Sequence, residues 1–171
     1  FTDNDHSSFR GELKSNLGFG ELTYQLGYQA SDVAGRANGR FNGNPFYSQG
    51  DGSSSSVSNE LRLNSVGGGP LTWVVGAYHF SEDVSRFTNF TTAIPNTQGF
   101  VLRFQGDVDN SASAVFGQST YAILPTTRLT AGVRYTNEKK SADYVTNGVY
   151  SLPNGFVVPP SPLSNSKSYS H

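Results

Sequence analysis

Leu129-Thr130-Ala131-Gly132-Val133-Arg134-Tyr135-Thr136-Asn137-Glu138 decides how the chain is read. Its side chains alternate with a period of two: Leu129, Ala131, Val133 and Tyr135 share one face, and Thr130, Gly132, Arg134 and Thr136 share the other. Alternation of that period belongs to a β-strand. A strand with one apolar and one polar face fits between a core and water, or between lipid and a wet lumen, so the neighbouring segments must choose.

Working backwards, Asn110 to Ile123 is a strand that ends at the short turn Leu124-Pro125-Thr126-Thr127. Leu71 to Phe80 is another, with Leu71, Trp73, Val75 and Ala77 assigned to its apolar face although Val74, Tyr78 and Phe80 lie opposite. It follows Val57 to Ser65 across Gly67-Gly68-Gly69-Pro70. At the start, His6 to Leu17 and the strand from Glu21, with Leu22, Tyr24, Leu26 and Tyr28 on one face, form a hairpin about Gly18-Phe19-Gly20. Residues 31–55 lose the pattern and fill with Gly, Asn, Asp and Ser, 81–108 form a second long polar segment, and 139–171 are loop-like. They read as long polar loops. Within the last of them, Pro159-Pro160-Ser161-Pro162 favours extended polyproline geometry.

Short and long connections therefore alternate along an all-β chain of about six antiparallel up-and-down strands. Compact sandwiches seldom carry loops beyond about 12 to 15 residues. An outer-membrane barrel has short turns on one rim and long loops on the other because its strands run up and down. Tyr28 and Tyr135 near the long connections, with Trp73 and Tyr121 near the short ones, suit two membrane-interface girdles.

Composition narrows the classes. The 171 residues are 35% hydrophobic and 13% aromatic, and the polar excess comes from Ser, Thr, Asn and Gly, which favours strands joined by polar loops over disorder. Lys and Arg number 12 against 13 acidic residues, a net charge of -1 that leaves no footprint for nucleic acid. Cysteine is absent, which removes disulfides, thiolate metal sites and Cys nucleophiles. No apolar run approaches the roughly 18 residues of a membrane helix, whereas barrel strands hide their lipid face in every second residue.

Four segments carry a family resemblance: Ser58-Asn59-Glu60-Leu61-Arg62-Leu63, Gly76-Ala77-Tyr78-His79-Phe80, Ala114-Val115-Phe116-Gly117-Gln118 with Tyr121, and Leu129 to Lys140. In order and spacing they resemble consecutive barrel segments of TonB-dependent outer-membrane receptors. The resemblance implies a wide transmembrane barrel with an N-terminal plug, in the bacterial outer membrane. It further implies uptake of scarce ligands such as ferric siderophores, cobalamin or oligosaccharides, energised through TonB. No signal peptide, TonB-box-like segment or plug is recognisable in residues 1–171, and six strands fall short of the eight of the smallest bacterial barrels. The chain is read as a middle piece of a larger barrel wall, with outer-membrane lipid, the rest of the barrel, the plug, the TonB complex and a small-molecule ligand as partners.

On this reading Gln25, Glu60, Arg62, Thr130 and Arg134 line the lumen, and Phe41, Phe46, Tyr47 and Phe90, with Phe87 and Phe100, are the loop aromatics available to a ligand. The alternative is a soluble carbohydrate-binding or adhesin-like sandwich. Catalytic and cofactor readings find little support. His6, His79 and His171 lack metal-ligand spacing, and Asp107-Val108-Asp109-Asn110 lacks the glycine and glutamate of a calcium loop. Gly67-Gly68-Gly69 has no following Lys-Ser or Lys-Thr, Ser53 to Ser56 has no G-x-S-x-G context, and Asn89-Phe90-Thr91 is a chance sequon. The expected protein is no enzyme and needs no catalytic residue, metal or cofactor.

Overall fold

The structure, a computed structural model, describes residues 1–41, 43–92, 100–151, 157–158 and 163–170. Six long strands follow one another: β1 (Thr2–Asn16), β2 (Gly20–Phe41), β3 (Asn44–Ser65), β4 (Leu71–Thr92), β5 (Phe100–Leu124) and β6 (Thr127–Ser151). Two short ones, β7 (Val157–Val158) and β8 (Leu163–Ser170), both pair with β6. All belong to one antiparallel sheet in sequence order, an up-and-down wall without crossovers. The described strands do not close: β1 pairs only with β2.

One sheet is what the sandwich alternative forbids. A sandwich buries two inner faces against each other, but here Leu13, Leu129, Val133 and Tyr135 are 61–75% exposed. Among the described residues only Ala114 and Ala142 count as buried hydrophobics. This apolar face has no protein partner within the sheet.

The three short turns fall where the sequence puts them, at 17–19, 66–70 and 125–126. The long polar stretches differ from expectation. Residues 29–41 of β2 pair without interruption with 44–56 of β3, so most of the predicted loop at 31–55 is a hairpin about 40 Å long. Residues 81–92 likewise continue β4 and pair with 100–111 of β5, and 139–151 continue β6. Gly, Ser and Asn have poor intrinsic strand preference, but a backbone paired on both sides overrides it. The turn at the far end is made by Gly43, at φ 82°, a left-handed conformation that favours glycine. Asn42-Gly43 is itself a strong hairpin signal, at odds with a loop over the whole of 31–55. The asymmetry between rims stands, with paired strand where irregular loop was expected. Ser168-Tyr169-Ser170, read as loop, lies in β8 opposite Ser141 to Lys139. Pro159 to Pro162 and His171 fall outside the described residues.

Candidate functional site

The ladders tie every side chain to one of two faces. Phe9 pairs with Tyr28 and Tyr28 with Val57; Leu61 pairs with Ala77, Ala77 with Val115 and Val115 with Tyr135. Partners in a ladder row share a face. Leu13, Leu22, Tyr24, Leu63, Leu71, Trp73, Val75, Tyr121, Leu129 and Val133 therefore stand on one apolar face. The register settles β4: Leu71, Trp73, Val75 and Ala77 belong to it, and Val74, Tyr78 and Phe80 to the other. Tyr28, Trp73, Tyr121 and Tyr135 all stand on the apolar face, two towards each rim.

The opposite, polar face carries Gln25, Glu60, Arg62, Thr130 and Arg134 together. On it Gln25 Nε2 donates to Glu12 Oε2 at 2.6 Å and Lys14 pairs with Glu12 at 3.0 Å. Arg62 pairs with Glu60 at 3.6 Å, too far for a hydrogen bond, and its buried Nε has no acceptor among the described residues. Thr23, 2% exposed, fills the row between Lys14 and Arg62. Further along that row the Phe116 ring covers Gly76, and the Arg134 guanidinium lies 5.8 Å from the Phe116 ring centre. Only a glycine fits at position 76: an added Cβ would also come within 2.9 Å of the Leu61 carbonyl oxygen.

Beyond Tyr28 the polarity of the two faces inverts. The face that was apolar now carries Asp32, Asp51, Asp83, Asp107, Asp109 and Asp143, and the polar one carries Val33, Phe46, Val84, Phe90, Leu102, Phe104, Val108 and Tyr144. The inversion follows the row of Phe9, Tyr28 and Val57 on β1 to β3 but that of Ala77, Val115 and Tyr135 on β4 to β6, four residues lower on β3. A boundary oblique to the ladder is what tilted, staggered barrel strands produce.

Above the inversion Phe46 stacks on Phe90 with ring centres 5.8 Å apart, and Phe90 meets Phe104 edge-on at 6.0 Å. Phe46 and Phe90 thus meet as a pair. Tyr47 stands on the opposite face, because it is one residue out of step with Phe46. The side chain of Phe41 falls outside the described residues. Phe87 also faces away, under the Arg103 guanidinium at 5.3 Å. Phe104, Val84, Arg86 and Tyr144 carry no signal in the sequence alone, because the polarity of their strands changes sides within the stretches that contain them. Asp107 and Asp109 lie in β5, and Asp109 accepts a hydrogen bond from Ser141 Oγ at 3.1 Å.

Residues 1–169 match the family described as TonB dependent receptor-like, beta-barrel. The chain belongs to that family. Its fold is similar to that of the ferric yersiniabactin uptake receptor FyuA from Yersinia pestis, with a TM-score of 0.65 and 15% identity over 99% of this chain. The match spans 25% of FyuA, so the chain corresponds to about a quarter of such a receptor. BauA, the ferric preacinetobactin receptor from Acinetobacter baumannii, overlaps at a TM-score of 0.36 and 8% identity, over 98% of this chain and 34% of that one, too little to bear on the fold. No curated protein matches the sequence. Membership of a TonB-dependent receptor family implies, in general terms, a bacterial outer membrane.

Proposed function

We propose that the chain is a wall segment of an outer-membrane receptor that takes up a scarce ligand of the ferric-siderophore, cobalamin or oligosaccharide class with energy from TonB. The observation that carries this reading is the inversion of polarity along each strand. Lipid accepts apolar side chains from outside only over the thickness of its hydrocarbon, and an outward acidic face above that level belongs in water. The apolar band from Leu129 to Tyr135 and its neighbours then faces lipid, with Tyr28, Trp73, Tyr121 and Tyr135 at the two interfaces. Gln25, Glu60, Arg62 and Arg134 face the lumen and the plug, which supplies the acceptor that Arg62 Nε lacks within the sheet. The hairpins stand outside the cell with Phe46, Phe90 and Phe104 turned inwards.

That inward aromatic surface is where ligand binds. The ferric-chelate class is favoured over cobalamin and oligosaccharide because the fold neighbour FyuA is a ferric yersiniabactin uptake receptor. The test is uptake of labelled ferric siderophores by iron-starved cells that carry the complete receptor, with and without TonB. Uptake that stops without TonB and weakens in a Phe90→Ala, Phe104→Ala variant is expected. Uptake indifferent to both changes would sink the reading.

A further inference from the structure

Arg86 stands on the inward side of the β4–β5 hairpin in a row with Val33, Gly52, Gly106 and Tyr144. It makes no ion pair or hydrogen bond with any described residue. Both of its ladder neighbours are glycines, so no side chain crowds the guanidinium from either flank; its Nε passes 3.8 Å from where a Cβ on Gly52 would be. The Tyr144 ring leans over Gly106, 3.0 Å from the place of a Cβ there, towards Arg86. Val84, Phe104, Val108 and Tyr144, with Thr88 and Thr146 at its edge, line a hollow of about 480 Å³ around it. The aspartates adjacent in sequence, Asp51, Asp107 and Asp143, project from the opposite face, and Glu82 is the nearest acid on this side of β4, four residues away.

A mainly apolar hollow with two aromatic rings and one unpaired cation is complementary to a flat ring that bears a negative charge. Phe104 and Tyr144 offer ring faces and edges. The planar guanidinium forks onto two oxygens at once, as a carboxylate presents them. We propose that this hollow is a binding subsite for an aromatic group carrying an anionic oxygen substituent, the ring lying against Phe104 and Tyr144 and the anion paired with Arg86. The proposal rests on the reading of the hairpins as the ligand-facing mouth of the receptor, and it narrows the ligand class to aromatic anions.

The experiment uses the complete receptor, purified in detergent, and two probes of the same shape, 2-naphthoate and its uncharged analogue 2-naphthamide. Wild-type receptor is expected to bind 2-naphthoate more tightly. Arg86→Gln is expected to weaken 2-naphthoate about tenfold and leave 2-naphthamide unchanged, the size of a charge-assisted hydrogen-bond pair. Arg86→Lys, which keeps the charge without the fork, is expected to fall between. Phe104→Ala is expected to weaken both probes alike. Equal loss of both probes in Arg86→Gln, or no loss of either, overturns the subsite, and so does a wild-type receptor that does not prefer the anion. The outcomes separate the two readings: uptake that depends on TonB and Phe90 beside 2-naphthoate binding indifferent to Arg86 removes the subsite and leaves the receptor. Uptake indifferent to TonB removes the receptor reading itself.

Discussion

The lower and upper halves of the same strands obey opposite rules. On β5, Val115 and Tyr121 point to the side whose upper part bears Asp107 and Asp109, and on the other side Gln118 and Thr120 give way above to Phe104 and Val108. The backbone is continuous and the ladder unbroken across the change. Secondary structure therefore does not distinguish the halves; the solvent on each side does. One stretch of strand was selected for an apolar outside and a wet inside, the other for a wet outside and an aromatic inside. A comparison of equivalent substitutions in the two halves tests that statement directly.

The largest effect is expected from a charge placed on the same face of β5 at two heights. Ser119→Arg, in the row of Trp73 and Ala131 between the Tyr135 and Tyr121 rows, puts a guanidinium inside the band assigned to hydrocarbon and is expected to cost about 2–4 kcal/mol. Gln105→Arg, fourteen residues away on the same face, is expected to cost nothing measurable. Chemical unfolding of the complete receptor in lipid vesicles reads both. Equal costs would mean that the apolar band does not meet lipid and would break the comparison at its base.

Next in size is Gly76→Leu. The added side chain must displace the Phe116 ring that lies over Gly76, and overpacking of this kind costs about 1–3 kcal/mol. Phe116→Ala in the same chain is expected to recover part of that loss, because it vacates the ring's space while the Leu61 carbonyl oxygen stays within 2.9 Å of the new Cβ. A double-mutant cycle on unfolding in vesicles measures the coupling. Additive losses would show that the contact between Phe116 and residue 76 does not govern the lower polar face.

These positions also show how far the sequence could be read. The lower half was legible because each strand there keeps a strict period of two, as in Leu22, Tyr24, Leu26 and Tyr28, and because glycine and proline mark the short turns. β4 was ambiguous since Val74, Tyr78 and Phe80 make its second face apolar as well, and only its partners in β3 and β5 resolve it. In the upper half Ser, Gly and Asp supply weak strand signals, and the apolar residues change sides, so a single face followed through the inversion cancels its own pattern. Phe46 and Tyr47 show the consequence: as loop residues they were equivalent, but as consecutive strand residues they must point apart. Pairing Phe46 with Phe90 and Phe104 requires the β3–β4 and β4–β5 registers, which no single segment contains.

A smaller effect separates the aromatic cluster from the lipid-facing band. Phe90 has two ring partners, and such pairs contribute about 0.5–1.5 kcal/mol each beyond area burial. Phe90→Ala is expected to loosen the hairpin, seen as faster amide exchange at residues 86–92, while the unfolding transition of the lower barrel in vesicles stays where it was. If the two move together, the halves are one cooperative unit and the contrast between them is chemical without being mechanical.

The smallest effect sharpens the division between inside and outside within the upper half. Arg103 sits over Phe87 on the outer side of the hairpin, in a cation–π contact worth about 0.5–1 kcal/mol at an exposed position. Arg86 and Arg103 are both arginines of the same hairpin, on opposite faces. Arg103→Ala is therefore expected to leave the affinity for 2-naphthoate unchanged, whereas Arg86→Gln reduces it. Net charge falls by one in both variants, so a long-range electrostatic effect would lower both affinities in parallel and would vanish at high salt. Loss confined to Arg86 and surviving in salt requires a local ion pair on the inner face, and only the inward orientation of the hairpins supplies one.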